Sequence, residues 1–496
     1  MKLIKIKFRT LIIILAGIVY LITAYNSVGF YHADEHYQII EFAGSKLGTH
    51  NPNELAWEYN AQIRPAIQPA ICYLIFKTLI FFKITNPYSQ TFVLRLLTAI
   101  LSIFIITFFV KQTENLFKNK KGYYLLSYFL WFIPFISVRF SSETWSGLLF
   151  LLSVAIFFSN KAKTIKPYLL GITMGFSFLF RYQMAISVVG FVLWLIFIEK
   201  IKFINLSKII ISFLFVVFIG CIIDTWFYNK IVFTPWNYFY TTIISNDVIQ
   251  FGIKPYYFYL LQLLKSPTYF VGILLILSFV ILLISKPKSV FLWIVLPFIF
   301  IHSLIPHKEL RFIFPLAFFA PVILMYGYEN ILKLLNNKYT VKIINAFIII
   351  FFIVNIAGLI IISQKPARIG WMSISKYIHN NYGNKNINLI YTSWANPYNP
   401  WQHIPIKFYS EKYLFEKNIK TLNNLSDSLI INNTENLLVI RKKDIVDTEY
   451  INAKKIKNFT FEKQSIPKWI EMINKKIKWF DNKNILLLYR YDIDKN

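Results

Sequence analysis

Apolar residues are gathered in long runs along the chain, with short polar stretches between them. Several runs reach or approach the roughly 20 residues that a helix needs to cross a bilayer. The pattern therefore predicts a polytopic α-helical membrane protein with about 11–12 helices. The twelve runs lie near residues 10–27, 67–83, 92–110, 122–138, 144–159, 168–181, 184–198, 208–227, 268–285, 289–303, 313–328 and 342–362.

Composition supports a membrane protein and excludes a soluble globular one. Of 496 residues, 56% are hydrophobic even without counting glycine, whereas soluble domains reach only roughly 45–50% with glycine included. The N-terminus has a basic start and an apolar run but no small-x-small cleavage site, so we expect an uncleaved first helix that begins in the cytoplasm. Cys72 and Cys221 lie inside apolar runs, which predicts small hydrophobic side chains and no disulfide framework.

The chain is strongly basic, with 53 Lys and Arg against 24 Asp and Glu. It has no basic helix and no RNA-binding signature, so we expect no nucleic-acid partner. Basic loops are typical of the cytoplasmic side of a membrane protein. We expect that side for loops 111–121, 159–166, 199–208, 286–288 and 329–342, and the opposite side for 28–66, 139–143, 228–267 and 304–312.

This alternation conflicts with itself at residues 67–110. An outer segment 28–66 and an inner loop 111–121 require an odd number of crossings between them, yet two apolar runs lie there. Either one run is re-entrant, or loop 111–121 departs from the charge rule. With one re-entrant run, eleven crossings place the C-terminal tail outside.

From about residue 364 the chain becomes rich in Asn, Lys, Asp and Tyr. The bursts INLIYT, NLLVIRKK and ILLLYRYDI are typical of strands, and SIPKWIEMINKKIKWF is typical of an amphipathic helix. We therefore predict two domains. Residues 1–363 form the membrane domain, and residues 364–496 form a small extracytoplasmic α/β domain.

The outer segment 28–66 carries the densest set of ionisable residues, including the neighbouring acids Asp34 and Glu35 in FYHADEHYQ. A charged group beside lipid is costly unless it is solvated or functional. Two interpretations remain open: an active-site loop with a carboxylate base and Arg64 as an anion contact, or a solvated loop. A metal site is a further alternative, because His32, Asp34 and His36 would share one face of a strand.

Polar residues also interrupt the apolar pattern at other predicted outer positions. Arg139 to Glu143 (RFSSE) lies between two runs, and Arg181 is a lone cation that either snorkels or functions. The segment 228–259 interleaves aromatic and polar residues, which indicates either interfacial packing or a wall of a substrate site. The segment HKELR gathers three cations that can hold a phosphate or pyrophosphate: His307, Lys308 and Arg311, with Glu309 among them.

These motifs together resemble glycosyltransferase family 22, the lipid-phosphate-mannose-dependent mannosyltransferases of glycosylphosphatidylinositol and dolichol-oligosaccharide synthesis. HADEHYQ resembles its HPDE-type motif, with Ala33 in place of Pro, and RFSSE resembles its Arg-Ser-Glu region. Tyr182 stands after Arg181 where the family would have Pro. The remaining matches follow in chain order and fall on Trp57, Glu58, Arg64 and Pro65 (WEYNAQIRP), on Pro235, Trp236 and Asn237 (TPWNYF), and on His307, Lys308, Glu309, Arg311 and Phe312 (HKELRF).

The resemblance implies a GT-C fold and an inverting transfer of mannose from a polyprenyl-phosphate mannose donor to a lipid-linked or surface glycan, without metal or cofactor. Asp34 would be the base, with Glu35 as the second acid of the catalytic pair. The donor phosphate would be held by Arg64, His307, Lys308 and Arg311. Substrate-binding positions would be His32, Trp57, Glu58, Arg139, Arg181, Trp236, Asn237 and Glu309. We expect a bacterial inner-membrane protein with a periplasmic site, or a lumenal site in the endoplasmic reticulum if the chain is eukaryotic.

Three other functions stay open on the sequence. A transporter or flippase of lipid-linked sugars shares the polytopic design and the cations, although it predicts internal repeats, of which the sequence shows none that is convincing. A GT-C transferase of a different sugar has the same composition. A non-catalytic scaffold is the third alternative, and the ionisable density of segment 28–66 disfavours it.

Overall fold

The computed structural model describes residues 7–160, 164–245, 247–334, 338–400, 404, 406–446 and 456–492. Ten of the twelve apolar runs each coincide with one α-helix, while runs 122–138 and 313–328 each cover two helical segments. The helices of eight or more residues in the described chain are α1 (Phe8–Asn26), α2 (Ile67–Phe81), α3 (Pro87–Thr113), α4 (Lys120–Phe129), α5 (Ser142–Phe158), α6 (Lys166–Phe180), α7 (Ala185–Phe197), α8 (Phe203–Tyr228), α9 (Phe258–Lys265), α10 (Tyr269–Ser285), α11 (Val290–Leu304), α12 (Ala320–Leu334), α13 (Lys338–Gln364), α14 (Trp371–Tyr382) and α15 (Lys468–Ile477).

Shorter helical segments carry several of the candidate residues. One-turn α-helices span Ala33–Glu35, Phe42–Lys46, Trp57–Ala61, Ile133–Ser137, Thr234–Phe239 and Lys442–Val446. A π-helix spans His36–Glu41, and a 3₁₀-helix of ten residues spans Leu310–Phe319, beginning inside the HKELR segment.

The helical membrane fold predicted from the apolar runs is confirmed, and the chain is an integral, multi-pass membrane protein. Within the described residues, five helical stretches are long and apolar enough to cross a bilayer, the longest being Pro87–Leu116 with 30 residues. Further apolar helices of 10–17 residues accompany them, among them α5, α10 and α11.

The chain folds into two compact units. The first unit contains Met1–Ile22, Glu58–Ile71 and Arg95–Ser363, and the second contains Thr23–Trp57, Cys72–Leu94 and Gln364–Asn496. The predicted domain boundary near residue 364 coincides with one of these divisions and otherwise stays a prediction.

In the first unit, several segments predicted to be cytoplasmic meet at one end of the helices. Arg9 pairs with Glu114 at 2.8 Å, and Glu329 accepts a hydrogen bond from the backbone N–H of Lys118 at 2.6 Å. The ammonium of Lys286 lies 4.6 Å from the centre of the Tyr326 ring. These basic segments therefore lie together, as expected of loops on one side of a membrane. A cavity of about 580 Å³ lies among them, lined by residues that include Leu116, Phe157, Trp194, Glu199, Lys286 and Tyr326.

The second unit contains a five-stranded sheet of order β2-β1-β3-β5-β4. Strand β1 pairs in parallel with β2 and β3, whereas β5 pairs antiparallel with β3 and β4. Alternate residues of β3 face opposite sides: Leu437 packs with α14, and Leu438 joins the cluster on the other face. The strands are β1 (Ile387–Thr392), β2 (Leu414–Ile419), β3 (Glu435–Arg441), β4 (Phe459–Gln464) and β5 (Leu486–Tyr491).

The prediction of a small C-terminal α/β fold is confirmed. The segments predicted as strands are β1, β3 and β5, and the predicted amphipathic helix contains α15. Strands β2 and β4 were not predicted because they form the two edges of the sheet. Both carry polar, exposed residues, such as Glu416 and Lys463, instead of an apolar burst.

The second unit also bears on the crossing conflict at residues 67–110. Its neighbouring residues Phe408 and Tyr409 contact residues that come before α2, within α2 and after α2 in the sequence. The Tyr409 ring lies 5.5 Å from His36, before α2, and 4.9 Å from Tyr88, after α2, while Phe408 stacks on Phe76 within α2 at 5.0 Å. Because these segments form one cluster, we infer that α2 does not cross the bilayer.

On this inference helix α3 would make the single crossing of this stretch. It has 27 residues, about 40 Å at 1.5 Å per residue, which exceeds the ~30 Å hydrocarbon thickness. One crossing reconciles an outer segment 28–66 with an inner loop 111–121, and it favours the re-entrant alternative stated above.

This topology predicts a labelling pattern for single cysteines placed in a chain from which Cys72 and Cys221 have been removed. In sealed vesicles, Thr85→Cys and Asn423→Cys should react with a membrane-impermeant maleimide from the same side. Lys118→Cys should react only from the other side, and permeabilised vesicles should label all three. Labelling of Thr85→Cys from the side opposite to Asn423→Cys would instead require α2 to cross.

Candidate active site

In the first unit, one buried carboxylate binds two buried arginines. Ser141 caps the start of α5 by accepting a hydrogen bond from the backbone N–H of Thr144, and this places Glu143 in the first turn. Its Oε1 accepts hydrogen bonds from Arg181 at 2.7 Å and from Arg311 at 2.9 Å. The three residues are only 3–6% exposed. Because an unpaired buried charge is strongly unfavourable, Glu143 compensates both guanidinium groups.

A second carboxylate extends this cluster to the HKELR segment. The Nε of Arg311 donates to Oε2 of Glu309 at 2.6 Å, and Oε1 of Glu309 lies 3.0 Å from Nε2 of His307. The other His307 ring nitrogen lies 3.1 Å from the carbonyl of Gly252. The hydrogen bond to Glu309 raises the pKa of His307. The result is a chain of alternating charges, His307–Glu309–Arg311–Glu143–Arg181.

Lys308 has a different environment from its neighbours. It is buried, and its Nζ donates to the carbonyl of Lys254 at 2.9 Å. The backbone N–H of Lys254 donates in turn to the carbonyl of Pro306 at 3.0 Å. A carbonyl carries no formal charge, so this hydrogen bond does not neutralise the positive charge of Lys308. Arg139 is also buried, with its guanidinium carbon 5.6 Å from the centre of the Phe135 ring.

The predicted phosphate contact Arg64 lies in another part of the first unit. Its NH2 group is 3.5 Å from Oε1 of Glu58, and its carbonyl accepts a hydrogen bond from the Tyr228 hydroxyl at 2.9 Å. The amide of Asn237 donates to the carbonyl of Gln62 at 3.3 Å. The structure thus brings Arg64 together with Glu58 and the TPWNYF element, while Trp236 remains half exposed.

A buried acid that the sequence analysis did not select anchors this loop. Asp224, at the end of α8, accepts a hydrogen bond from the backbone N–H of Ala66 at 2.7 Å. Its other oxygen accepts from the hydroxyl of Thr234, which is also bonded to the hydroxyl of Tyr182. Tyr182 therefore has a structural role at the position where the family would have Pro. A lone acid inside an apolar run was the available signal for Asp224.

The acid pair belongs to the second unit, on the one-turn helix Ala33–Glu35. Nδ1 of His32 accepts from the backbone N–H of Asp34 at 3.4 Å and lies 3.3 Å from Oδ1 of the same residue. Oε2 of Glu35 accepts from the backbone N–H of Tyr31 at 3.2 Å. The hydrogen bond to His32 fixes the backbone of the turn, while the Asp34 side chain is 20% exposed and its carboxylate stays accessible.

The predicted strand alternation of His32, Asp34 and His36 is wrong, because the backbone there is helical. His36 instead binds Glu41, so the three residues do not present a common face. Within the described residues, no group of three or more His, Cys, Asp or Glu is placed to hold a metal ion.

A buried His–Glu–His cluster, also outside the predicted site, follows the acid pair. Oε1 of Glu41 lies 2.6 Å from Nε2 of His36 and accepts from the backbone N–H of Phe408 at 3.1 Å. Oε2 of Glu41 lies 2.8 Å from Nδ1 of His50. Gly44 leaves room for this ring, since a Cβ there would lie 2.2 Å from His50.

Contacts within the cluster shift the pKa values of Glu41 and His50. Burial by itself would raise the pKa of Glu41, but the neighbouring imidazoles outweigh it and lower this pKa to about 2. Burial by itself would lower the pKa of His50, but the hydrogen bond and charge of Glu41 outweigh it and raise this pKa. The cluster therefore favours an ionised Glu41 and makes the proton of His50 harder to remove.

The amino-acid sequence of the chain is similar to that of a known protein family. Residues 10–410 match the sequence model of the Alg9-like mannosyltransferase family. The chain belongs to this family. The resemblance found from the ordered motifs is thereby confirmed, and it includes the segments of both Asp34 and Arg311.

Individual relatives are similar at low identity. GPI mannosyltransferase 3 of Candida albicans is 27% identical over 312 residues, which are 61% of this chain and 60% of the relative. Mannosyltransferase APTG1 of Arabidopsis thaliana is 24% identical over 316 residues, 61% of this chain and 55% of the relative. Alpha-1,2-mannosyltransferase ALG9 of Saccharomyces cerevisiae is 30% identical over 124 residues, 24% and 21% of the two chains. The chain spans about three fifths of the length of the first two relatives.

Two solved structures are similar at lower identity still. ArnT from Cupriavidus metallidurans bound to undecaprenyl phosphate has 9% identity and a TM-score of 0.48, with 96% of this chain and 97% of that chain covered. The Archaeoglobus fulgidus oligosaccharyltransferase has 12% identity and a TM-score of 0.47, with coverage of 91% and 71%.

Removal of the shared carboxylate should destabilise the first unit severely. Glu143→Ala leaves Arg181 and Arg311 buried without their common partner, which we expect to cost about 3–5 kcal/mol in the free energy of unfolding. The measurement is urea unfolding in detergent, followed by tryptophan fluorescence. The control is Glu54→Ala, which breaks the exposed Lys407–Glu54 pair and should cost no more than about 1 kcal/mol. Equal losses in the two variants would contradict the shared role of Glu143.

The His–Glu–His cluster predicts a pH optimum of stability. The raised pKa of His50 means that its contribution is complete below the unfolded value of about 6.5 and is lost as pH rises through the folded value. The lowered pKa of Glu41 means that its contribution is present above about 4.3 and is lost as pH falls towards 2. The unfolding midpoint should therefore peak between about pH 4.5 and 6.5, and His50→Gln should flatten its alkaline decline. An unchanged alkaline decline in His50→Gln would exclude this cause.

Proposed function

We propose that the chain is an integral-membrane, inverting glycosyltransferase that moves mannose from a polyprenyl-phosphate mannose to a lipid-linked or surface glycan. The observation that carries this proposal is the membership of residues 10–410 in the Alg9-like mannosyltransferase family, with Asp34 at the first of the ordered family motifs. The donor and the acceptor are those that the family resemblance implies. The active side would be periplasmic in a bacterial inner membrane, or lumenal in the endoplasmic reticulum.

Asp34 is the proposed base. As the acceptor hydroxyl oxygen attacks the anomeric carbon, the Asp34 carboxylate takes its proton, and the bond from that carbon to the phosphate oxygen breaks. Polyprenyl phosphate leaves, and this single displacement inverts the configuration of the sugar. The geometry around Asp34 supports the role, because His32 accepts a hydrogen bond from the Asp34 backbone N–H at 3.4 Å and a fifth of the side chain stays exposed. Glu35, fixed by the Tyr31 N–H, would orient the acceptor.

Negative charge develops on the phosphate as it departs, and nearby cations would stabilise it. The candidate cations lie in the first unit. Lys308 supports this role best, because its charge meets only backbone carbonyls in its described hydrogen bonds. Arg311 is fixed rigidly by Glu143 and Glu309, and His307 keeps its proton more readily beside Glu309. Preorganised charges of this kind stabilise a transition state without the cost of reorganisation. Arg64, paired with Glu58, is the fourth candidate.

The remaining predicted positions would shape the substrate site. Trp57 and Trp236 present partly exposed aromatic faces suited to a sugar or a lipid chain. The other candidates are held in the networks described above, and we propose that they orient substrate or phosphate ligands: His32, Glu58, Arg139, Arg181, Asn237 and Glu309.

The test is transfer by the purified protein from polyprenyl-phosphate mannose to candidate glycan acceptors, read out by the mass of the product. Asp34→Asn removes the base without changing the size of the side chain, and it should lower kcat by about 10²–10⁴-fold. Asp427→Asn, at an exposed position of the C-terminal region, is the matched control and should transfer normally. Unimpaired transfer by a folded Asp34→Asn protein would remove Asp34 from the mechanism.

A further inference from the structure

The second unit joins the acid-bearing segment to a short stretch of the C-terminal region, residues 404 and 406–409, here called the brace. The Tyr37 hydroxyl donates to the carbonyl of Ile404 at 2.6 Å. The backbone N–H of Phe408 donates to Oε1 of Glu41 at 3.1 Å. An exposed ion pair joins Lys407 of the brace to Glu54 at 3.2 Å. Three separate polar contacts thus connect the brace to residues 37–54.

Aromatic packing adds a fourth connection, directly beside the acid pair. The His36 ring is stacked between Phe30, at 5.1 Å and 25°, and Tyr409 of the brace, at 5.5 Å and 20°. His36 is completely buried, and Tyr409 is 2% exposed. Because His36 follows Glu35 immediately in the chain, the position of its ring restricts the backbone that carries both acids.

The acid-bearing turn depends on contacts of this kind. A helix of three residues, Ala33–Glu35, fixes more backbone than its own hydrogen bonds repay, so it is not stable alone. The π-helix that follows, His36–Glu41, is a rare conformation that requires outside support. Glu41, at its end, is buried and needs donors. His36 and His50 supply two of them, and the brace supplies the third through a backbone N–H.

We infer that the brace is a positioning element of the transferase, which holds the Ala33–Glu35 turn so that the Asp34 carboxylate keeps its direction. The inference rests on the function proposed above for Asp34. The brace thereby has a role although it carries none of the motifs found in the sequence. The family match ends at residue 410, directly after the brace, so the brace lies inside the matched region and strands β2 to β5 lie beyond it.

The test uses the full chain and substitutions of Tyr409. Tyr409→Leu removes the ring that stacks on His36, whereas Tyr409→Phe keeps it. Tyr413→Leu, half exposed and outside the family match, is the matched control. The first readout, independent of activity, is hydrogen exchange of the peptide that contains residues 31–36. We expect exchange at least about tenfold faster in Tyr409→Leu, and wild-type exchange in the other two variants.

The second readout separates kcat from KM. A small misplacement of a catalytic group costs on the order of 10²-fold in rate, so we expect Tyr409→Leu to lower kcat by about 10–100-fold with the KM for the donor unchanged. Tyr409→Phe should restore kcat. If Tyr409→Leu does not fold, Tyr37→Phe carries the same test by deleting one hydrogen bond to the brace, and we expect exchange of residues 31–36 to rise by about threefold or more.

Two results would overturn the inference. One is wild-type exchange of residues 31–36 in a folded Tyr409→Leu or Tyr37→Phe protein. The other is equal damage from Tyr409→Phe and Tyr409→Leu, which would show that the stacked ring is not what matters. If the wild-type protein transfers no mannose, the proposed function fails, while the exchange measurement still decides whether the brace orders the acid-bearing turn.

Discussion

The HKELR end of the first unit depends on one carboxylate oxygen that accepts hydrogen bonds from two arginines. Oε1 of Glu143 holds Arg181 and Arg311, which come from different parts of the chain, at 2.7 and 2.9 Å. In a buried environment two guanidinium groups repel each other and lose their hydration, so bringing them together requires this shared acceptor. The arrangement of α5, the end of α6 and the HKELR segment follows from this requirement.

The second unit also contains a buried charge that needs partners, but here the charge is negative and its partners are donors. There the buried carboxylate, Glu41, is surrounded by donors: two imidazoles and one backbone N–H. In both units a carboxylate organises segments that are distant in sequence, and in both it stands next to a candidate site without being the candidate itself. Neither Glu143 nor Glu41 was assigned a catalytic or binding role from the sequence, although Glu143 ends the RFSSE motif.

The sequence predicted those features that depend on local pattern. Apolar runs located the helices, and bursts of β-branched and apolar residues located β1, β3 and β5. Features that depend on distant partners were missed. The alternation of His32, Asp34 and His36 indicated a strand, but the π-helix that forms there is stabilised by the amide of Phe408, which no local pattern reveals. The HKELR cations were recognised as a group, whereas the pairing of Arg311 with Glu143 requires the fold. Asp224 could have been predicted, because it is a single acid inside the apolar run 208–227.

The brace has a consequence for the order in which the protein matures. The hydrogen bond from Phe408 to Glu41 joins residues 367 positions apart. At a synthesis rate of about 5–20 residues per second, the acid-bearing segment waits roughly 20–70 s for its support. During that interval the helices between them are being inserted, and the short turn that carries Asp34 has no stable conformation. The turn that carries Asp34 therefore acquires its stable geometry only after the intervening membrane helices have been made.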